Sequence, residues 1–474
     1  MSALVFEPIN SLAAKLRTGE LSPVTLTESL LARIEALDGK LGAFSVVCAE
    51  RALAAARAAE AELAAGVDLG PLHGIPYAAK DLFDVRGLAT TAGTRLLADN
   101  VAADDAAVIT RLARAGMILL GKTVTVQFAY GGAGINHDLG TPHNPWHPEP
   151  HLPGGSSSGS AVAVAAGLAP MALGSDTGGS VRIPAALCGI TGFKTTVGRV
   201  SRAGVYPLSE TLDSVGPLTR DVEDAALVYR AIEGPDAADP STLGHAPCDV
   251  MAGLRAGVKN LRIAFAETVF FDDADPEVVA AVRAAGDAFR ELGAHVSDMP
   301  FPAAAGALEL NPRGLVIAAE AYSVNRHFLE AHFDELDPVV AHRMIKGGDI
   351  GAADYIATMR ALRRLRAQAA DELRDVDAVL CPATMIPARP VAEVDRSIES
   401  YAEANLACLR NTSIGNILGL CGLSVPCGVT RAGLPIGLMI YARPFCEDMA
   451  LRVGYAFQRA TDWHRATPDV DALR

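Results

Sequence analysis

Apolar residues recur at helical spacing early in this chain and later fall into short blocks punctuated by glycine. Leu30, Leu31, Ile34 and Leu37 follow Ser22-Pro23, a capping serine before a proline suited to a first turn, and this pattern predicts a helix. Residues 51–65 are alanine-rich and stop at Gly66, predicting a second helix. Residues 75–79, 117–120, 171–174 and 261–266 read as short buried strands, as do segments ending at 380–382 and spanning 434–440. Residues 107–115, 161–166, 276–292 and 352–373 read as helices, and another capped helix opens at Val222 behind Thr219-Arg220-Asp221. Such alternation predicts an α/β fold with a mixed or mostly parallel sheet. Nothing repeats and no low-complexity linker divides the chain. The economical organisation is therefore one large domain over residues 1–474, with a helical N-terminal part to about residue 70 and a helical excursion at about 300–375. A polar stretch at 234–257 reads as a surface excursion.

Composition narrows the function classes. The chain is 474 residues long, 50% hydrophobic and 20% charged, with a net charge of −14 and no basic stripe, which argues against nucleic-acid binding. No window approaches the roughly 18 apolar residues of a membrane span. Met1-Ser2-Ala3-Leu4-Val5-Phe6-Glu7-Pro8 lacks the basic and apolar regions of a leader, and a cytoplasmic location is expected. The eight cysteines are scattered with no C-x-x-C pair, so free thiols are expected, not a zinc ribbon or a redox site.

Two glycine-rich serine turns carry the candidate chemistry. Gly154-Gly155-Ser156-Ser157-Ser158-Gly159-Ser160 and Asp176-Thr177-Gly178-Gly179-Ser180 flank one apolar run. The first turn is not a phosphate loop, because Ala161 follows Ser160 where Lys-Ser or Lys-Thr would be required. It is either a flexible Gly/Ser loop or a catalytic turn at a helix N-terminus. The second turn favours catalysis, since Thr177 to Ser180 offers up to four backbone N–H groups around one hydroxyl. A seryl nucleophile needs a base. His137, His143, His147 and His151 lie in the 131–153 loop, but Pro142, Pro145, Pro148 and Pro150 exclude a helical ligand face, and loop packing is the plainer reading. Lys80, at the end of the apolar run 75–79, could be a base whose pKa burial lowers. From the residues alone the favoured reading is a lysine reaching into a salt bridge with Asp81 or Asp84. Lys122 poses the same question. For Asp176 and Arg182, a brace holding the second turn is favoured over substrate-carboxylate binding by Arg182.

These residues resemble the amidase signature family. The resemblance rests on Gly154-Gly155-Ser156-Ser157, on Asp176-Thr177-Gly178-Gly179-Ser180-Val181-Arg182-Ile183-Pro184-Ala185, and on Gly74-Ile75-Pro76-Tyr77-Ala78-Ala79-Lys80-Asp81. Cys188-Gly189-Ile190-Thr191-Gly192-Phe193-Lys194, Gly198-Arg199-Val200-Ser201, Asp213-Ser214-Val215-Gly216-Pro217 and Gly433-Leu434-Pro435-Ile436-Gly437 extend it over roughly residues 5–465. It implies a central mixed β-sheet covered by helices on both faces. It also implies Ser180 as nucleophile, Ser156 as a bridging serine held by a cis peptide, Lys80 as terminal base, and an oxyanion hole at Thr177, Gly178 and Gly179. By position alone, Phe128, Tyr130, Gly131 and Gly132 are assigned to the acyl pocket, with plain core packing as the alternative. The implied activity is hydrolysis of a small or medium-sized carboxylic amide through a seryl acyl-enzyme, with carbamates, anilides or esters as further substrates. Neither a metal nor an organic cofactor is implied. The expected partner is a small-molecule amide, with no nucleic acid or membrane and with a homodimer left open. The alternative is a glutaminase-type subunit of a tRNA-dependent amidotransferase, whose signature has Gln where this chain has Ile183.

Overall fold

The Ser-Pro pair does open a helix: the Ser22 hydroxyl accepts the Thr25 N–H at 3.0 Å, and helix Pro23–Leu41 buries Leu26, Leu30, Ile34 and Leu37. The alanine-rich run forms helix Ala49–Ala64. The structure, a computed structural model, describes residues 4–311 and 315–470. Residues 1–3 of the stretch read for a leader, and 312–314 of the helical excursion, lie outside the described residues, as do 471–474.

Among the described residues eleven strands form one sheet. They are β1 (Phe44–Val47), β2 (Pro76–Lys80), β3 (Ile118–Thr123), β4 (Met171–Asp176), β5 (Thr191–Lys194), β6 (Ser214–Thr219), β7 (Arg262–Ala266), β8 (His295–Met299), β9 (Ala378–Pro382), β10 (Cys421–Val429) and β11 (Pro435–Ala442), in the order β1-β3-β2-β4-β6-β5-β10-β11-β9-β7-β8. The sheet is mixed: β2 runs parallel to β3 and β4, and β7 parallel to β8 and β9, while the remaining neighbours are antiparallel.

Alternation along the strands builds a core on each face. On β9 and β11, Ala378, Leu380, Leu438 and Ile440 join one cluster with Val278, Val282 and Phe289 of helix Pro276–Glu291 and Leu451, Val453 and Phe457 of helix Glu447–Ala460. The intervening Val379, Cys381, Met439 and Tyr441 join the other, with Ala303 and Ala307 of helix Pro302–Leu310, Leu362 of helix Ala352–Glu372, and Ile414 and Ile417 of helix Ile398–Leu418. The result is a single large α/β domain with helices on both faces. The 234–257 stretch is more than a surface excursion, for Asp239, Thr242 and Val250 within it are buried. Among the described residues no helix is long and apolar enough to cross a membrane, and all eight cysteines are free thiols.

One consequence of the strand directions matters most. Because β2, β3 and β4 are mutually parallel, their C-terminal ends share one edge of the sheet, where α/β folds place ligands. That edge carries Lys80 and Asp176.

Candidate active site

Lys80 ends β2 with its side chain fully buried. Its Nζ lies 2.7 Å from Ser156 Oγ and 2.9 Å from Ser175 Oγ. Ser175 reaches it because β4 runs beside β2 with Ala79 opposite Leu173. The acids considered as alternative partners are engaged elsewhere: Asp81 pairs with Lys122 at 2.5 Å, and Asp84 accepts from Thr90 Oγ1 at 2.7 Å. Burial lowers the Lys80 pKa to about 7, against the pull of the Asp213 and Asp176 carboxylates, which favour the charged form. Lys80 can therefore hold a neutral amine near pH 7, while Lys122 sits in a buried ion pair.

The first turn presents Ser156 to that amine. The Gly155–Ser156 peptide bond is cis. Around it, the Gly155 N–H donates to Gly132 O at 2.8 Å, and Ser156 O accepts from Val126 N at 3.1 Å and from Thr125 Oγ1 at 3.0 Å. The Ser157 N–H donates to Ser180 O at 3.2 Å and so ties the first turn to the second. Helix Ser158–Ala165 follows, wholly buried.

The second turn hangs on Asp176. Its carboxylate accepts the N–H groups of Gly179 at 2.9 Å and Val181 at 3.1 Å, and Arg182 grips it through Nε at 3.0 Å and Nη2 at 2.9 Å. Arg182 also donates to Tyr441 Oη, Thr412 O and Asn416 Oδ1, so its donors are spent inside the protein and the brace is the arrangement present. Burial alone would raise the Asp176 pKa, but the Arg182 guanidinium beside it holds the carboxyl well below the usual range. Thr177 Oγ1 donates to Asp213 at 2.5 Å. Gly179 leaves the sequence-expected set of free donors, since its N–H is committed to Asp176. Among the described residues, the N–H groups of Thr177, Gly178 and Ser180 have no protein acceptor. Three donors and one hydroxyl on one short turn can hold a developing oxyanion beside a nucleophile.

A cavity of about 720 Å³ opens beside the site, reached at Ser175 and Asp213 and walled by Arg202, Glu320, Tyr322 and Tyr355. Neither Phe128, Tyr130, Gly131 nor Gly132 lines it. Phe128 is fully buried, its ring stacked 6.0 Å from Tyr206 and 5.6 Å from Phe328. Tyr130 lies under Arg343, whose guanidinium carbon is 4.3 Å from the Tyr130 ring centroid. Gly131 and Gly132 back the Ser156 turn: a Cβ on Gly155 would come 2.9 Å from Gly131 O.

His137 bonds Asp337 at 2.6 Å and Asp395 at 2.8 Å, and the His143 ring bonds within its own loop to His147 O. Among the described residues no cluster of His, Cys, Asp and Glu forms a metal site. Sequence reasoning passed over Ser175, Asp213 and a polar face of helix Ile398–Leu418. The first two stand within or beside the segments that carry the resemblance, so adjacency to the turns was an available signal; the helix face carries none.

The family described as Amidase matches residues 25–451. A glutamyl-tRNA(Gln) amidotransferase subunit from Roseiflexus sp. (strain RS-1) is 41% identical over 482 residues, covering 96% of each chain. The 2-amino-5-chloromuconic acid deaminase of Comamonas testosteroni is 38% identical over 452 residues, covering 94% of each. Native peptide amidase from Stenotrophomonas maltophilia superposes with a TM-score of 0.84 at 32% identity, covering 98% of each chain.

Proposed function

The chain belongs to the amidase family of hydrolases acting on C–N amide bonds, and we propose that it cleaves a small or medium-sized carboxylic amide through an acyl-enzyme on Ser180. The observation that carries this reading is the buried Lys80 amine held 2.7 Å from Ser156 on a turn tied to Ser180. Neutral Lys80 takes the Ser156 proton as Ser156 takes that of Ser180, and Ser180 Oγ attacks the amide carbonyl. The N–H groups of Thr177, Gly178 and Ser180 hold the oxyanion, each donor contributing about 3–4 kcal/mol to barrier lowering. The leaving amine departs with the relayed proton. Water then attacks the acyl ester, giving a proton to the relay, and the ester bond to Ser180 breaks as the relay returns that proton to Ser180 Oγ, freeing the acid and leaving Lys80 neutral. No step requires a cofactor.

The cavity beyond Ser175 and Asp213 is the proposed substrate pocket. Its walls at Glu320, Tyr322 and Tyr355 come from the 315–355 part of the helical excursion, consistent with specificity residing outside the shared turns. Leu409 and Ile317 close the oxyanion side, since a Cβ on Gly178 would meet them at 3.3 and 3.7 Å.

A glutaminase-type subunit is the second reading, favoured by the 41% identity to the Roseiflexus amidotransferase chain. Ile183 bears on it: the side chain is buried against the second turn, 2.6 Å from where a Gly179 Cβ would stand. One experiment separates the two. The purified chain is assayed alone on glutamine and on a panel of amides, anilides, esters and carbamates, with mass-spectrometric capture of an acyl adduct on Ser180. Turnover of a panel amide with that adduct supports the stand-alone enzyme. Inactivity until the other amidotransferase components are supplied supports the second reading, and full turnover by Ser180→Ala sinks both.

A further inference from the structure

Helix Ile398–Leu418 lays one face along both catalytic turns. Asn405, Leu409, Thr412 and Asn416 recur at four-, three- and four-residue steps, the spacing of a single helical stripe. Asn405 Oδ1 accepts the Gly132 N–H at 2.7 Å, behind the first turn. Leu409 packs where a Gly132 Cβ would stand, 2.7 Å from its Cγ. Asn416 Nδ2 donates to Asp176 Oδ1 at 2.9 Å. Between them, Thr412 Oγ1 donates to Gly178 O at 2.7 Å, with Leu409 O of its own helix a more distant acceptor at 3.0 Å.

The bond to Gly178 O differs from the others in what it holds. Each free N–H of the second turn belongs to a peptide plane or adjoins one, and planes turn as units. The Asp176 carbonyl accepts from Ser214 Oγ at 3.0 Å, and the Gly179 carbonyl from Ile183 N at 2.7 Å, which fixes the planes carrying the Thr177 and Ser180 N–H groups. The Gly178–Gly179 plane is pinned at one end by Gly179 N–H on Asp176 and at the other, among the described residues, by Thr412 alone. Gly179 has φ +137°, open to glycine, and a Cβ there would fall 2.1 Å from Thr412 Oγ1. Thr412 thus occupies the space that the missing side chain leaves.

Resting on the Ser180 reading above, we propose that Thr412 is a positioning residue for oxyanion stabilisation: its hydroxyl, through Gly178 O, holds the Gly178–Gly179 plane and so sets the orientation of the adjoining Gly178 N–H. Its effect falls on the transition state and not on ground-state binding, because the amide substrate bears no oxyanion.

The test compares Thr412→Val, which keeps the shape and removes the donor, with Thr412→Ser, which keeps the donor. Both are assayed on an amide that the wild type turns over, alongside a trifluoromethyl ketone of the same acyl group, which forms a tetrahedral anion on a seryl oxygen. In Thr412→Val, kcat is expected to fall about tenfold or more with KM within about twofold, and ketone affinity to fall in step. Thr412→Ser is expected to stay within about threefold of wild type on both readouts. Thr412→Ala replaces the valine variant if that one shows no cooperative melt. Unchanged kcat in the donor-less variant, a serine variant as impaired as it, or a kcat loss without loss of ketone affinity overturns the proposal. Failure of the nucleophile assignment shows in a separate arm, as turnover and ketone affinity surviving in Ser180→Ala.

Discussion

The carboxylate of Asp81 is paired with Lys122, 2.5 Å away, and not with Lys80 beside it in the chain. Both members of the pair are buried, and Asp81 also accepts from Ser45 and Thr91 hydroxyls, while Lys122 donates to Ala89 O at 2.6 Å. Among the described residues this division leaves Lys80 without a contacting acid, which its proposed role as a base requires. Removing the Lys122 charge strands Asp81 in the interior. Lys122→Met is expected to lower stability by about 3–5 kcal/mol, and Lys122→Met combined with Asp81→Asn to recover part of that loss. Denaturant unfolding of the single and double variants checks it; a loss in Lys122→Met below about 1 kcal/mol would show the pair to be dispensable.

The pH dependence of turnover follows from Lys80. Only its neutral form accepts the Ser156 proton, and burial brings its pKa to about 7. Activity is therefore expected to climb with pH through about 7 and level off above. Asp213 and Asp176 both favour the charged form, so Asp213→Asn is expected to move the acid limb to lower pH. Lys80→Ala is expected to abolish that limb and leave weak turnover rising with hydroxide. The same group opposes folding: between about 7 and its ordinary 10.5, the unfolded chain binds a proton that the folded chain does not, so this contribution to stability rises with pH over that window. Profiles of kcat/KM for the three proteins decide the matter, and an acid limb unmoved in both variants would count against Lys80.

The strands bearing Lys80 and Asp176 were legible in the sequence because each is a short apolar block leading into a polar residue. The strands at β6 and β10 were not. Gly216 and Pro217 sit within β6, and Gly422, Pro426 and Gly428 within β10, residues that ordinarily mark a strand's end. Gly216 is there because a Cβ would fall 1.9 Å from Phe193 O. Helix Ile398–Leu418 escaped for a related reason. Its buried face includes Asn405, Thr412 and Asn416, and apolar periodicity cannot register side chains whose partners are the backbone and carboxylate of turns over two hundred residues away. The two serine turns were readable as motifs because their chemistry is local. The cavity was not, since it forms where segments near residues 205, 215, 320 and 350 converge.

His137 couples the 131–153 loop to two helices. It bonds Asp337, which caps helix Pro338–Met344 by accepting the Val339 N–H at 3.0 Å, and Asp395, just past helix Val391–Val394. The hydrogen bond with Asp337 chiefly raises its pKa, to about 9, with burial opposing and Asp395 adding to the rise. A raised pKa stabilises the fold fully below the ordinary value of 6.5, and the contribution disappears as pH rises through about 9. His137→Gln is accordingly expected to melt below wild type at pH 6 and to approach it near pH 10. Melting temperatures across that range test this, and a gap independent of pH would assign His137 a packing role only.

Arg182 distinguishes a brace from a substrate clamp. Its guanidinium spans Asp176, Tyr441, Thr412 and Asn416 at once, with 2.6 Å to Asn416 Oδ1 as its closest contact. A lysine ammonium has one charge centre and three donors and cannot reproduce that fork. In Arg182→Lys the Asp176 carboxylate loses its two-point grip, and with it the geometry of the Gly179 and Val181 N–H groups that shape the second turn. The expected result is a kcat lower by about 100-fold for every substrate, together with about 3 kcal/mol of lost stability. A carboxylate clamp would behave otherwise: KM would rise for acidic amides alone, neutral amides would keep their kcat, and the protein would melt as before. Comparing neutral and acidic amides on the variant therefore reads the two roles apart. Because the side chain is wholly buried and its donors are already taken, the uniform loss is the outcome that the packing requires.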